Sequence, residues 1–114
     1  MNLTRDTAAK IMGWRAIHGI LGHLSGQPAE GTGKEEERAA VPNFAEEIEP
    51  AWRVVEEMHR SGYGFQLTWE TSVKEIRVEF SRPGDGDTAQ AQGDVAPEVI
   101  CRAALGTRLA RGSA

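Results

Sequence analysis

The clearest regularity in this chain is a strict alternation of apolar and polar residues in its second half. In GYGFQLTWE, Tyr63, Phe65, Leu67 and Trp69 point one way while Gln66, Thr68 and Glu70 point the other. That two-residue period is the mark of a strand with one face buried. KEIRVEFS repeats it, with Ile76, Val78 and Phe80 set against Arg77 and Glu79. The ETSVK between them is short enough for an antiparallel hairpin. RPGDGD is a strong turn signal, and TAQAQ beyond it predicts a weak third strand at the sheet edge.

Other stretches follow the helical period. From Pro50, suited to a first helical turn, Ala51, Val54, Val55 and Met58 form an apolar stripe that Ile48 and Trp52 widen. Glu46, Glu47 and Glu49 lie at its start, where negative charge is favoured. Glu56 and Arg60 are spaced for an ion pair, and Gly62 closes the helix. In GDVAPEVICRAALGTRLARG, Asp94 is placed to cap a helix with Pro97 in its first turn. Val99, Ile100, Ala103, Ala104 and Leu105 form its buried side, and Arg108 and Arg111 complement its dipole. A first helix capped by Thr4 brings Leu3, Ala8, Ile11 and Met12 onto one face and stops at Gly13. RAIHGILGHL, broken by glycines, fits neither period. Residues 25–41, rich in glycine, proline and charge, predict a flexible surface loop.

The order helix, loop, helix, strands, helix predicts one α+β domain over residues 1–114, with about three antiparallel strands packed against about three helices. Alternation this clean leaves one sheet face apolar and one polar, which suits helices on one side.

Composition narrows the partners. The net charge is −4, so nucleic acid is disfavoured, since a duplex binder needs a surplus of lysine and arginine. No apolar run approaches the ~20 residues that cross a bilayer, and the N-terminus lacks a signal pattern. The single cysteine cannot form an internal disulfide, which points to a reducing cytoplasm.

Candidate chemistry is sparse. Cys101 lies beyond the first turn of its helix beside Ile100, the setting of a packed thiol rather than an activated one. GTGKE is no phosphate loop: Pro28 stands where the first glycine belongs, and Glu35 follows Lys34. His18, His23 and His59 lack the spacing of a metal set, and Asp85 to Asp87 lack a calcium loop's pattern, so neither metal nor cofactor is expected. Of Trp14, Trp52 and Trp69, core packing is expected for two, leaving one for an interface. The polar sheet face, with Gln66, Thr68, Arg77 and Glu79, is the candidate ligand or partner face.

Several segments in order carry a resemblance. IMGW closes the first helix, PNF precedes IEPAWRVVEEM, GY leads into the strands, and APEVICRAALG ends the pattern. From Ile11 to Leu105 the chain resembles the phage ABA sandwich domain, a family of small phage and prophage proteins. The resemblance implies an α/β/α layered sandwich, with helices on both sides of the sheet, and association with a phage. It implies no catalytic residue. The family usually has aromatic and acidic residues between the MGW and PNF segments, and this chain departs from that with RAIHGILGHLSGQPAEGTGKEEERAAV.

The expected function is that of a non-enzymatic phage or prophage accessory protein that binds a host protein or a small polar molecule. Sequestration of a nucleotide-like immune signal is one alternative. A small hydrolase using His59 or Glu79 on the open face is another, and a nucleic-acid binder using Arg102, Arg108 and Arg111 a third. A homo-oligomer joined through tryptophan or a sheet edge fits the same pattern, since the weak TAQAQ edge leaves backbone groups open.

Overall fold

The computed structural model describes residues 2–20, 23–29 and 38–110. In chain order these form α1 (Leu3–Lys10), β1 (Arg15–Ile20), β2 (His23–Gln27), β3 (Ala39–Ala40), α2 (Ile48–Arg60), β4 (Gly64–Glu70), β5 (Glu75–Arg82), β6 (Asp87–Gly93) and α3 (Ala96–Leu105). The strands make two three-stranded antiparallel sheets, β1-β2-β3 and β4-β5-β6, in an α+β fold.

The alternating segments form the second sheet in the register their period demands. Phe65 lies opposite Phe80, Leu67 opposite Val78 and Trp69 opposite Ile76, so the apolar side chains share one face. Ile76, Val78 and Phe80 on the central strand are buried. α3 lies across β5 and β6 on that face and is flanked by α1 and α2, while α2 also reaches β4. The opposite face is open: Gln66, Thr68, Arg77, Gln90 and Gln92 are exposed and Glu79 is partly so. Among the described residues, helix packing is thus confined to the apolar side, as the alternation requires.

The centres of the helix stripes are buried as their periods predict, and the caps differ from expectation. Ala51, Val54, Val55 and Met58 are buried in α2, and Val99, Ile100, Cys101, Ala103 and Ala104 in α3. α1, however, is capped by Asn2, whose Oδ1 accepts from Arg5 N–H at 2.9 Å. Thr4 turns inward, and its hydroxyl accepts from the Ala45 N–H at 3.3 Å. A residue close enough to cap locally was drawn instead to a buried backbone donor that water cannot reach. Asp94 likewise does not cap α3. The N-cap is Val95, with no side-chain cap bond, and Pro97 in the first turn has no N–H to offer. Arg60 pairs with Glu57 rather than Glu56, and Arg53 with Glu49. Gly13 and Gly62 do end the first two helices, at φ of +77° and +95° that a side chain would strain.

The first sheet was not announced by any period. β1 carries an irregularity between Arg15 and His18 that breaks the alternation, and glycine stands at positions 19 and 26. A Cβ at Gly26 would meet the Arg15 carbonyl and Ile17 Cγ1 at 3.1 Å, so this glycine is set by strand contact rather than by a turn. The expected loop over 25–41 is corrected at both ends: Ser25–Gln27 belong to β2 and Ala39–Ala40 to β3. Its middle, 30–37, lies outside the described residues. Ile17 and Val41 from this region join the core.

Candidate functional site

Antiparallel register gathers the predicted face residues into a compact group. Gln66 lies opposite Glu79, which lies opposite Gln90; one step along, Thr68 lies opposite Arg77, which lies opposite Gln92. Gln66, Thr68, Arg77, Glu79 and Gln90 line one shallow depression of about 180 Å³. Gln90 donates from its amide nitrogen to Glu79 Oε1 at 2.6 Å, which fixes the carboxylate and the amide against each other. The Arg77 side chain makes no hydrogen bond or ion pair among the described residues.

Arg77 also borders two neighbouring depressions of opposite character. Toward β6 it shares one of about 410 Å³ with Gln90, Ala91 and Gln92, free of carboxylates. Toward the hairpin it shares one of about 210 Å³ with Thr68, Glu70, Val73 and Glu75, where two carboxylates repel an anion. The favourable side for negative charge is therefore that of Gln90 and Gln92, which sequence reasoning left out of the site. Their signal was present in TAQAQ, whose glutamines fall on the polar face once β6 pairs with β5.

A second polar group closes the end of the same sheet. Asp87 is buried, and its Oδ2 accepts from the Tyr63 hydroxyl and from the Arg108 N–H at 2.8 Å. Arg82 grips Asp85 through two bonds of 2.7 and 3.2 Å and lies 4.7 Å over the Tyr63 ring. Burial, and then the Asp87 bond, push the Tyr63 hydroxyl above its ordinary pKa. Burial opposes ionisation of Asp87, yet the Tyr63 hydroxyl and Arg108 outweigh it and hold that carboxyl low. Arg82 beside Asp85 lowers that carboxyl to about 2. Every polar group here is engaged by another, so the cluster ties the β5–β6 turn to the segment after α3. The expected turn at Asp85 to Asp87 is present, and it also forms this clamp.

The other candidates fall apart spatially or are buried. Cys101 is fully buried; its thiol donates to the Phe44 carbonyl at 3.1 Å, and burial raises its pKa to about 11. That is a packed, unreactive thiol. His59 is not on the open face: it borders a hollow with Val55, Glu56, Arg60 and Phe65, on the apolar side of the sheet from Glu79. Arg102 donates to the Gln92 carbonyl at 2.8 Å, and Arg108 is drawn to Asp85 and Asp87. Arg111 lies outside the described residues, as does the GTGKE stretch. His18 is exposed on β1, and no group of metal-ligating side chains forms among the described residues. No helix among them is long and apolar enough to cross a membrane.

The tryptophans correct the expectation of burial. Trp14 is half-buried, whereas Trp52 and Trp69 are 50% and 67% exposed. Ile48, placed on the apolar stripe, is exposed as well. The stripe of α2 is narrower than the sequence suggested because α3 takes up only its Ala51–Met58 side.

Comparison with known proteins agrees with the α+β fold, although the described helices cover only the apolar face of β4–β6 where the resemblance implied helices on both sides. No curated protein sequence matches the chain. The chain is similar in fold to a phage protein from Bacillus cereus ATCC 14579, seen in a 2.0 Å crystal structure, with a TM-score of 0.64 and 23% identity. That likeness covers 91% of this chain and 86% of the other. The sequence profile of the phage ABA sandwich domain matches residues 7–105, and the chain belongs to that family.

Proposed function

We propose that this phage protein is a non-enzymatic accessory protein that binds a small, polar, negatively charged molecule on the open face of β4–β6, in the cytoplasm of the host. One observation carries the reading. Arg77 is an exposed guanidinium whose side chain has no partner among the described residues, and on its β6 side it borders the neutral amides of Gln90 and Gln92 rather than carboxylates. A planar fork of donors in such a place suits a carboxylate or phosphate. The neighbouring amides of Gln90 and Gln92 add donors and acceptors of a kind that reads a polar outline. The depression of about 410 Å³ beside Arg77 is open to solvent and leaves room for a small polar molecule.

Sequestration of a nucleotide-like immune signal is the version of this reading that suits a phage protein. A nucleotide would be held here by phosphate and base edge, since Trp69 and Phe65 lie on the other face and supply no stacking surface. The test is native mass spectrometry of protein purified gently from phage-infected cells, followed by titration calorimetry with the molecule it carries. An anionic adduct that Arg77→Gln loses, with affinity weakened about tenfold or more, is the expected outcome. An adduct that Arg77→Gln retains unchanged refutes the assignment to this face.

A further inference from the structure

Sheet edges that lack partners invite pairing with another chain, and folded proteins usually block them. Among the described residues, three of the four sheet edges are managed. Arg102 reaches from α3 to the Gln92 carbonyl on β6, and Arg5 reaches from α1 to the Ile17 carbonyl on β1 at 3.0 Å. β3 is two residues long. β4 has none of these devices. Its seven residues, GFQLTWE, pair regularly with β5 throughout and contain no proline, lysine or bulge. No backbone bond outside the sheet engages them among the described residues.

We infer that β4 pairs with β4 of a second copy, antiparallel about a twofold axis at Leu67, to make a continuous six-stranded sheet. The register follows from the strand itself. A shift by one residue would set each copy's apolar face against the other's polar face. Among registers that keep the faces matched, centring on Leu67 alone pairs all seven residues. Gln66 then lies opposite Thr68 of the second copy, Phe65 opposite Trp69, and Gly64 opposite Glu70, so no like charges meet.

Two features outside the strand fit the same partner. On the apolar side, Phe65 borders an open hollow of about 510 Å³ walled by Val55, Glu56, His59 and Arg60, with Trp52 edge-on to its ring at 5.8 Å. Residues directly opposite in an antiparallel pair have Cβ atoms about 4.5–5.5 Å apart, so Trp69 of the second copy arrives beside that hollow. The exposure of Trp52, Leu67 and Trp69 is thereby accounted for by one event. On the polar side, the row across the junction reads Gln92, Arg77, Thr68, then Gln66, Glu79 and Gln90 of the second copy. Each row runs from a cation in one copy to a carboxylate in the other, and the twofold axis repeats it in reverse. This self-complementarity favours a second copy over an unrelated protein.

Sedimentation equilibrium of the whole chain tests the pairing, and is independent of any ligand on the open face. The expected mass at micromolar concentration is roughly twice the 12.4 kDa of the chain. Trp69→Ser is expected to weaken association about tenfold or more, as loss of a central aromatic contact does. Leu67→Cys places two thiols across the axis, and Cys101 is too buried to compete. A short bismaleimide should therefore couple Leu67→Cys into dimers much faster than Val73→Cys, in the hairpin turn. A wild-type monomer throughout the micromolar range overturns the proposal and leaves the edge to some other protein. Equal coupling of the two cysteine variants overturns the register.

Discussion

Replacing Asp87 with alanine measures what the clamp at the end of the second sheet contributes. The carboxylate is 4% exposed and accepts two bonds, from the Tyr63 hydroxyl and the Arg108 N–H. A hydrogen bond to a charged group contributes about 1.5–3 kcal/mol, and alanine leaves both donors unmatched in a place that admits little water. The side chains of Arg82, Asp85 and Arg108 are 29%, 37% and 59% exposed; their ion pairs are screened by solvent and add little. The expected loss is therefore roughly 3–5 kcal/mol, a large part of the ~5–15 kcal/mol that holds a domain of this size. Urea unfolding followed by tryptophan fluorescence and far-ultraviolet circular dichroism reads it directly. Tyr63→Phe removes one of the two bonds and should cost about 1–2 kcal/mol. The double variant should cost less than the sum of the singles, because both remove the same bond. Acid provides an independent check. The Asp87 carboxyl is held low in the folded protein, so on acidification the unfolded chain takes up the proton first. Its stabilisation is complete above the unfolded value of about 3.9 and is lost as pH falls through the folded one. The wild-type urea midpoint should fall below about pH 4, and that of Asp87→Ala should fall less. Asp85, at about 2, works in the same direction and remains in both proteins. A cost for Asp87→Ala under about 1 kcal/mol would show that the clamp is incidental to stability.

Two further predictions concern the core. Thr7 is fully buried in α1, and its hydroxyl has beside it only the Cys101 thiol, a weak partner that already donates to the Phe44 carbonyl. Thr7→Val keeps the shape and removes the stranded polar atom, so it should raise stability by about 1 kcal/mol, seen as a higher urea midpoint. A lower midpoint would mean the hydroxyl is satisfied in solution. Cys101, packed against the Phe44 carbonyl, should react with a thiol-specific dye only as fast as the chain opens. Rapid labelling at neutral pH, without denaturant, would contradict its burial.

Legibility along the chain tracked how local each cause is. Strands β4 and β5 were readable because their alternation is set by neighbours one and two residues away, and the same period placed Gln66, Thr68, Arg77 and Glu79 on one face. The buried stripes of α2 and α3, and the packed character of Cys101, were likewise carried by helical spacing. Gln90 and Gln92 were missed as site residues because a strand's membership in a face is complete only when its partner's register is known. The sheet of β1–β3 escaped notice because glycines and a register irregularity erase its period, and because β3 is only two residues long and pairs with β2 from beyond an intervening segment.

The sequence by itself determined the α+β class, the two-faced sheet and the buried stripes at the centre of α2, α3 and β5, where burial follows apolar spacing. Only the tertiary structure decided which polar groups found partners. Thr4 left its own helix for Ala45, Asp87 gathered Tyr63 and Arg108 from segments of chain far from the turn, and the Arg77 side chain was left with none among the described residues. Those outcomes depend on which donors and acceptors are shut away from water together, a property of the assembled fold that no stretch of the chain holds alone.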